Sequence, residues 1–291
     1  MTNTPLATPP STSHHSVPDS TNAGGQFSPQ SFLAKLRLPK SDSHKGENGK
    51  LMIIGGSDLF HAASRWSLDV ASKFVDMVFY SSVPSNNELI QAAKGEFWNG
   101  IVIGRDDVAS YIEEADAVLI GPGMERTEET QQLTNSLLRA YPTKKWVIDA
   151  GALQMVDPSL LTSSAILTPH SREMAGLASK PGGSLKELLA QGVVVLQKGE
   201  IDAICWQNHE LQISGGNAGM TKGGTGDVLA GLVAALYTVN EAVTSAVVGS
   251  YVNKKAGDEL YQAAGPFFNA TELVESVGKV LWRELKAIER V

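Results

Sequence analysis

At 291 residues, 42% hydrophobic and 19% charged with 28 glycines, the chain can bury a substantial core, and its makeup excludes collagenous, coiled-coil and wholly disordered classes. A formal net charge of -7 argues against an electrostatic grip on nucleic acid or on an anionic membrane, because such binding needs a basic surface. The single cysteine, Cys205, excludes an intramolecular disulfide framework and suits a reducing, cytoplasmic setting.

In chain order, residues 1–26 are rich in Ser, Thr, Pro, Asn and Gly with hardly a large apolar side chain, so a disordered tail is expected there, and the pair His14 and His15 reads as solvated. No basic-then-apolar leader stands at the N-terminus, and no run approaches the about 18 apolar residues of a membrane span. From Phe27 to the end, 27–291, one domain is expected. Short apolar runs at 51–54, 77–80, 101–103, 117–120, 146–148, 165–167 and 193–196 suit strands covered on both faces. Helical patterns fall between them at 62–74, 128–141 and 185–191. Later, 225–237 sets Val228, Leu229, Leu232, Val233 and Leu236 on one stripe, and further helices follow from about 241. Alternation of this kind predicts an α/β fold, a central mostly parallel sheet flanked by helices on both faces. Cys205, in the alternating run 201–206, reads as inert core packing.

Glycine clusters fall at the ends of expected strands: Gly55-Gly56-Ser57, Gly121-Pro122-Gly123 and Asp149-Ala150-Gly151. Open α/β sheets bind ligands at such tips, although a simple turn explains any one cluster as well. The segment from Gly215 to Asp227 holds six glycines in thirteen residues and opens into an apolar helix. Unhindered backbone N–H groups at a helix N-terminus make an anion hole. It matches neither a Walker A loop nor a dinucleotide fingerprint. Asp227 inside that hole reads either as a first-turn acid complementing the helix dipole, or as a base beside a transferring phosphoryl group; the density of glycines favours the base.

These residues bear a resemblance. The motifs His44-Lys45-Gly46-Glu47-Asn48-Gly49-Lys50, Gly55-Gly56-Ser57, Gly121-Pro122-Gly123, Val147-Ile148-Asp149-Ala150, Leu167-Thr168-Pro169-His170-Ser171-Arg172-Glu173, Gln197-Lys198-Gly199 and Gly216-Asn217-Ala218-Gly219-Met220, running into Gly223-Gly224-Thr225-Gly226-Asp227, stand in one order. In that order the chain resembles the ADP-dependent NAD(P)H-hydrate dehydratases, a branch of the ribokinase-like superfamily. The resemblance implies dehydration of NADHX and NADPHX, the 6S hydrates, to NADH and NADPH with release of AMP and phosphate. ADP, or ATP, would be the co-substrate, with Mg²⁺, in a homo-oligomer such as a tetramer.

By the same resemblance Asp227 is the catalytic base and a substrate contact, with Ala63, Gly123 and His170 as further substrate contacts. Lys198, Gly199, Glu200, Ile201, Asp202, Thr225 and Gly226 would bind nucleotide, and Glu173 would organise Mg²⁺ or water. On residue type alone, Lys198 reads as a solvated strand-end charge, His170 as a loop histidine and Glu173 as a first-turn acid. The chain departs from the usual pattern at Phe60-His61, at Gly151 in place of a second aspartate, and at Ser171-Arg172. Two rivals remain on the residues: an ATP-dependent kinase of a vitamin-precursor alcohol, and a nucleotide-binding sensor without catalysis.

Overall fold

The computed structural model describes residues 27–289; the tail expected at 1–26 lies outside them. Nine strands form one sheet: β1 (Lys50–Ile54), β2 (Met77–Ser81), β3 (Ile101–Val102), β4 (Ala117–Ile120), β5 (Lys145–Ile148), β6 (Ala165–Leu167), β7 (Val194–Gln197), β8 (Asp202–Trp206) and β9 (His209–Ile213). Their order is β3-β2-β1-β4-β5-β6-β7-β8-β9. The first seven run parallel, and β8 and β9 extend one edge antiparallel.

The helices among the described residues are α1 (Pro29–Leu33), α2 (Ala62–Ala71), α3 (Pro84–Ala92), α4 (Val108–Glu114), α5 (Glu128–Ala140), α6 (Ala150–Met155), α7 (Ser171–Ala178), α8 (Leu185–Ala190), α9 (Thr225–Val239), α10 (Ala242–Ala264) and α11 (Ala270–Ala287). Side chains alternate across a strand, and β1 shows the consequence. Leu51 and Ile53 enter the core shared with α2, α9, α10 and α11, while Met52 and Ile54 enter the opposite core beneath α4 to α8. A run of four apolar residues is therefore what a strand covered on both faces requires.

Two sequence readings change in detail. Helix α9 is buried on nearly every side, from Val228 through Thr238, rather than along one stripe, because the sheet, α2, α10 and α11 enclose it. Strand β9, His209-Glu210-Leu211-Gln212-Ile213, buries only Leu211 and Ile213, too weak a pattern to have been read as a strand. Cys205 is buried, and burial pushes its thiol up to about 11, which agrees with an inert role.

Strand β1 pairs with β2 on one side and β4 on the other, so the strand order reverses there. In doubly wound sheets the ligand crevice opens beyond the carboxyl ends of the strands at that reversal. Gly55-Gly56 and Gly121-Pro122-Gly123 flank it. A Cβ on Gly121, at φ 122°, would fall 1.8 Å from the Asp149 carbonyl oxygen, so only glycine lets β4 and β5 end this close together. The motif at 44–50 lies at the other end of β1. There the Asp76 carboxylate accepts from the Gly46 and Asn48 amides at 2.7 and 3.1 Å, so that motif shapes a turn.

Candidate active site

Asp227 sits in the first turn of α9, whose N-cap Gly224 has φ 99°. A Cβ there would lie 2.5 Å from the Trp66 ring and 2.6 Å from Ala270 Cβ. Thr225, at the first helical position, donates from Oγ1 to the Met220 carbonyl at 2.7 Å. From α2, Ser67 Oγ donates to the Asp227 carbonyl at 2.9 Å. The turn carrying Asp227 is thus held by its glycine, its threonine and α2.

Facing it are two groups from the strand ends. Lys198 Nζ is 2.7 Å from Asp149 Oδ1, and Thr168 Oγ1 donates to the same oxygen at 2.7 Å. Asp149 is 2% exposed. Ala150 beside it has φ 45°, a left-handed conformation that costs a residue with a Cβ about 1–3 kcal/mol and recurs at functional sites. The Lys198 ammonium also lies 3.7 Å from where a Cβ on Gly226 would be, against the α9 N-terminus.

Electrostatics follow from this crowding. Burial, then the like charge of Asp149, push the Asp227 carboxyl up to about 7, against the opposing pull of Lys198. Burial alone would lower the Lys198 pKa, but Asp149, Glu173 and Asp227 together raise it above its usual value. Asp227 can therefore accept or give a proton near neutral pH, while Lys198 stays a fixed cation.

His170 caps α7, accepting the Arg172 and Glu173 amides at Nδ1, 3.1 and 3.2 Å away. Glu173 returns the capping box: Oε2 accepts the His170 amide at 2.9 Å, and Oε1 accepts from Gln154 Nε2 at 2.9 Å. With both oxygens engaged and the side chain buried, direct Mg²⁺ ligation by Glu173 would cost these bonds, and no group of three His, Cys, Asp or Glu suited to a metal occurs among the described residues.

A cleft of about 670 Å³ opens beside the α9 N-terminus, lined by His170, Lys198, Gly199, Glu200, Asp202, Thr225 and Gly226, all expected from sequence. Ile201, also expected, points outward and is 52% exposed. Asp202 lines the cleft with its carboxylate already engaged: Oδ1 accepts from the Gly199 amide at 2.9 Å and Oδ2 from Ser250 Oγ at 2.7 Å. Ala63 and Gly123 lie together at the strand-order reversal, where a Cβ on Gly123 would meet Ala63 Cβ at 3.0 Å and the Phe60 carbonyl at 2.8 Å. The expected residues thus form two groups, with Asp227 on the helix turn that α2, the helix bearing Ala63, braces.

Three residues were given no site role in the sequence reading, although two of them, Asp149 and Thr168, stand in its motifs. Asp149 and Thr168 end β5 and β6, and a polar residue directly after an apolar strand was the available signal. Lys254, on α10, is 5% exposed and donates to the carbonyls of Gly199, Glu200 and Gly215 at 2.9 to 3.0 Å; nothing in a helical stretch announces that. At Gly151 a Cβ would fall 2.0 Å from the Met124 carbonyl, so this chain has no room there for the acid of the usual pattern.

Sheet order, a cleft beyond the carboxyl ends and a half-buried acid beside a fixed lysine fit an α/β protein of ribokinase-like fold. The fold is shared with an ADP/ATP-dependent NAD(P)H-hydrate dehydratase from Bacillus subtilis crystallised with ATP and Mg²⁺: TM-score 0.71, 22% identity, 88% of this chain and 97% of that one. The chain belongs to the NAD(P)H-hydrate dehydratase family, whose model matches residues 51–279. It is 36% identical over 258 residues to a bifunctional NAD(P)H-hydrate repair enzyme of Methanocaldococcus jannaschii, covering 86% of this chain and 51% of that protein. It is 30% identical over 264 residues to an ADP-dependent (S)-NAD(P)H-hydrate dehydratase of Cenarchaeum symbiosum, covering 83% and 91%. The chain spans about half the length of the bifunctional relatives it matches. No helix among the described residues is long and apolar enough to cross a membrane.

Proposed function

We propose that residues 27–291 form one catalytic unit that returns NADHX and NADPHX to NADH and NADPH, with ADP or ATP as phosphoryl donor. The observation that carries this reading is Asp227, pushed up to about 7 beside Lys198 and next in the chain to Gly226 of the cleft wall. A base is most effective when its pKa lies near the working pH. Hydroxide is a poor leaving group, so the ring hydroxyl of a hydrate must first be converted into a better one.

In the proposed sequence Asp227 takes the proton of that hydroxyl as its oxygen attacks the terminal phosphorus of ADP, and AMP departs. Expulsion of the new phosphate with loss of a ring proton restores the double bond. Lys198 and the amides at Thr225 and Gly226 stabilise charge on the phosphoryl group in flight. Ala63, Gly123 and His170 hold the hydrate, and the remaining cleft residues hold the nucleotide. The names of the relatives and the ATP and Mg²⁺ crystals of the Bacillus subtilis protein support the same assignment.

The test is to incubate the protein with NADHX, Mg²⁺ and ADP or ATP and to follow the return of reduced-nicotinamide absorbance. Recovery is expected with ADP, and Asp227→Asn should abolish it while nucleotide binding persists. No recovery with either nucleotide would defeat the reading, and full activity in Asp227→Asn would remove the base.

A further inference from the structure

The carboxyl ends of β1 to β4 enclose a second, smaller hollow that the reading above leaves unused. Gly56 and Ser57 after β1, Val83 after β2, Arg105 after β3 and the start of α5 line it. It holds about 50 Å³; against the roughly 10–15 Å³ one water needs, it has room for a few waters or one phosphate group. It adjoins the expected substrate wall, because a Cβ on Gly123 would lie 3.2 Å from Gly56 Cα.

One polar group of the lining is short of a partner. Arg105 Nη1 is buried without a hydrogen-bond partner, one of five such side-chain atoms among the described residues. A shielded guanidinium N–H without an acceptor is costly, and guanidinium is the side chain best shaped to take a phosphate. The first turn of α5 adds its dipole, with Thr127 as N-cap. Glu125 and Glu129 also border the hollow. Both are exposed, so water screens them, and Glu129 attracts the guanidinium without forming an ion pair with it.

We propose that this hollow is an anion subsite in which Arg105 takes a phosphate of the dinucleotide hydrate. The inference rests on the dehydratase reading. With the ring hydroxyl of the hydrate at Asp227 and the ring against Gly123 and Ala63, the rest of the molecule leads past Gly56 into the hollow. The phosphate is either the bridging pyrophosphate, common to NADHX and NADPHX, or the 2′-phosphate, which NADPHX alone carries.

The experiment compares wild type, Arg105→Met, Arg105→Lys and Glu129→Gln in steady-state kinetics with each hydrate, and in fluorescence titrations with NADH and NADPH. Arg105→Met should raise KM for the hydrate by about tenfold or more, with kcat and the KM for ADP within about twofold. Arg105→Lys should recover part of the loss, and Glu129→Gln should lower KM. Loss with both hydrates identifies the pyrophosphate; loss with NADPHX alone identifies the 2′-phosphate. If Arg105→Met does not fold, the other two variants carry the same readouts. An active wild type whose Arg105 variants keep their hydrate KM and dinucleotide binding would overturn the subsite alone. A wild type that neither turns over a hydrate nor binds NADH or NADPH would overturn the dehydratase reading, and the subsite with it.

Discussion

Lys198 Nζ and Asp149 Oδ1 meet at 2.7 Å across the ends of β7 and β5, two strands separated by β6. Thr168, following β6, donates to the same oxygen, so three consecutive strand ends are tied into one polar group. That group sets the charge seen by Asp227. Asp149 raises the Asp227 pKa and Lys198 lowers it, so the two partners can be titrated against each other.

Asp149→Asn should move the acid limb of the kcat/KM profile to lower pH by about one unit, the size expected when one like charge is removed. Lys198→Met should move it the other way, together with weaker nucleotide binding. The profile is read from pH 5 to pH 9 with saturating ADP. An acid limb that stays put in both variants would show that Asp227 is not the group titrating.

The same shift makes Asp227 a source of instability in the folded protein. Its carboxyl rises from an ordinary 3.8 to about 7. A carboxyl raised on folding contributes its stability below its unfolded pKa, and that contribution is lost as pH rises through the folded one. Stability should therefore fall between about pH 4 and pH 7. Asp227→Asn, which has no charge to bury, should melt higher than wild type at pH 8, by on the order of a few kcal/mol, and the gain should vanish near pH 4. Thermal melts at the two pH values decide this; an equal gain at both would attribute it to packing.

Part of this arrangement is legible in the sequence. The strand at 117–120 and the helix at 128–141 stand out because continuous apolar runs and 3.6-residue periodicity are local signals, and they reappear as β4 and α5 within a residue or so. The roles of Lys198, Gly199, Thr225 and Gly226 came from the family resemblance; on the residues alone the glycine-rich helix start pointed only to an anion hole, and Lys198 read as a solvated strand-end charge. Asp149, although inside a matched motif, was given no role of its own. Its importance lies in a contact with Lys198, 49 residues away, and no local pattern carries that distance. Lys254 is harder still, since its three acceptors are main-chain carbonyls, which have no residue identity to read.

Gly224 tests how far the anion hole depends on one backbone conformation. At φ 99°, with the Trp66 ring 2.5 Å from a hypothetical Cβ, alanine would have to displace both the loop and Trp66. Gly224→Ala should cost about 1–3 kcal/mol of stability and lower kcat/KM more than KM for ADP changes, because the shift falls on the turn that carries Asp227. Gly223, where a Cβ would meet nothing within 4 Å, is the control. Equal effects at the two positions would place the requirement in the flexibility of the loop and not in the contact with Trp66.

Lys254 separates shaping the cleft from chemistry within it. Its ammonium gathers the carbonyls of Gly199, Glu200 and Gly215, and lies 3.4 Å from Asp202 Oδ1. Removing one member of a buried ion pair costs about 3–5 kcal/mol because the other is left uncompensated. Lys254→Met should therefore lower the melting temperature, and it should raise KM for the nucleotide because the two segments lining one wall lose their common anchor. It should leave kcat nearly unchanged, since Lys254 forms no bond to Asp227 or Lys198. Lys254→Met combined with Asp202→Asn should cost less than the sum of the single changes. Urea titration and ADP saturation kinetics on the four proteins supply both numbers, and a fall in kcat at unchanged KM would move Lys254 out of the wall and into the reaction itself.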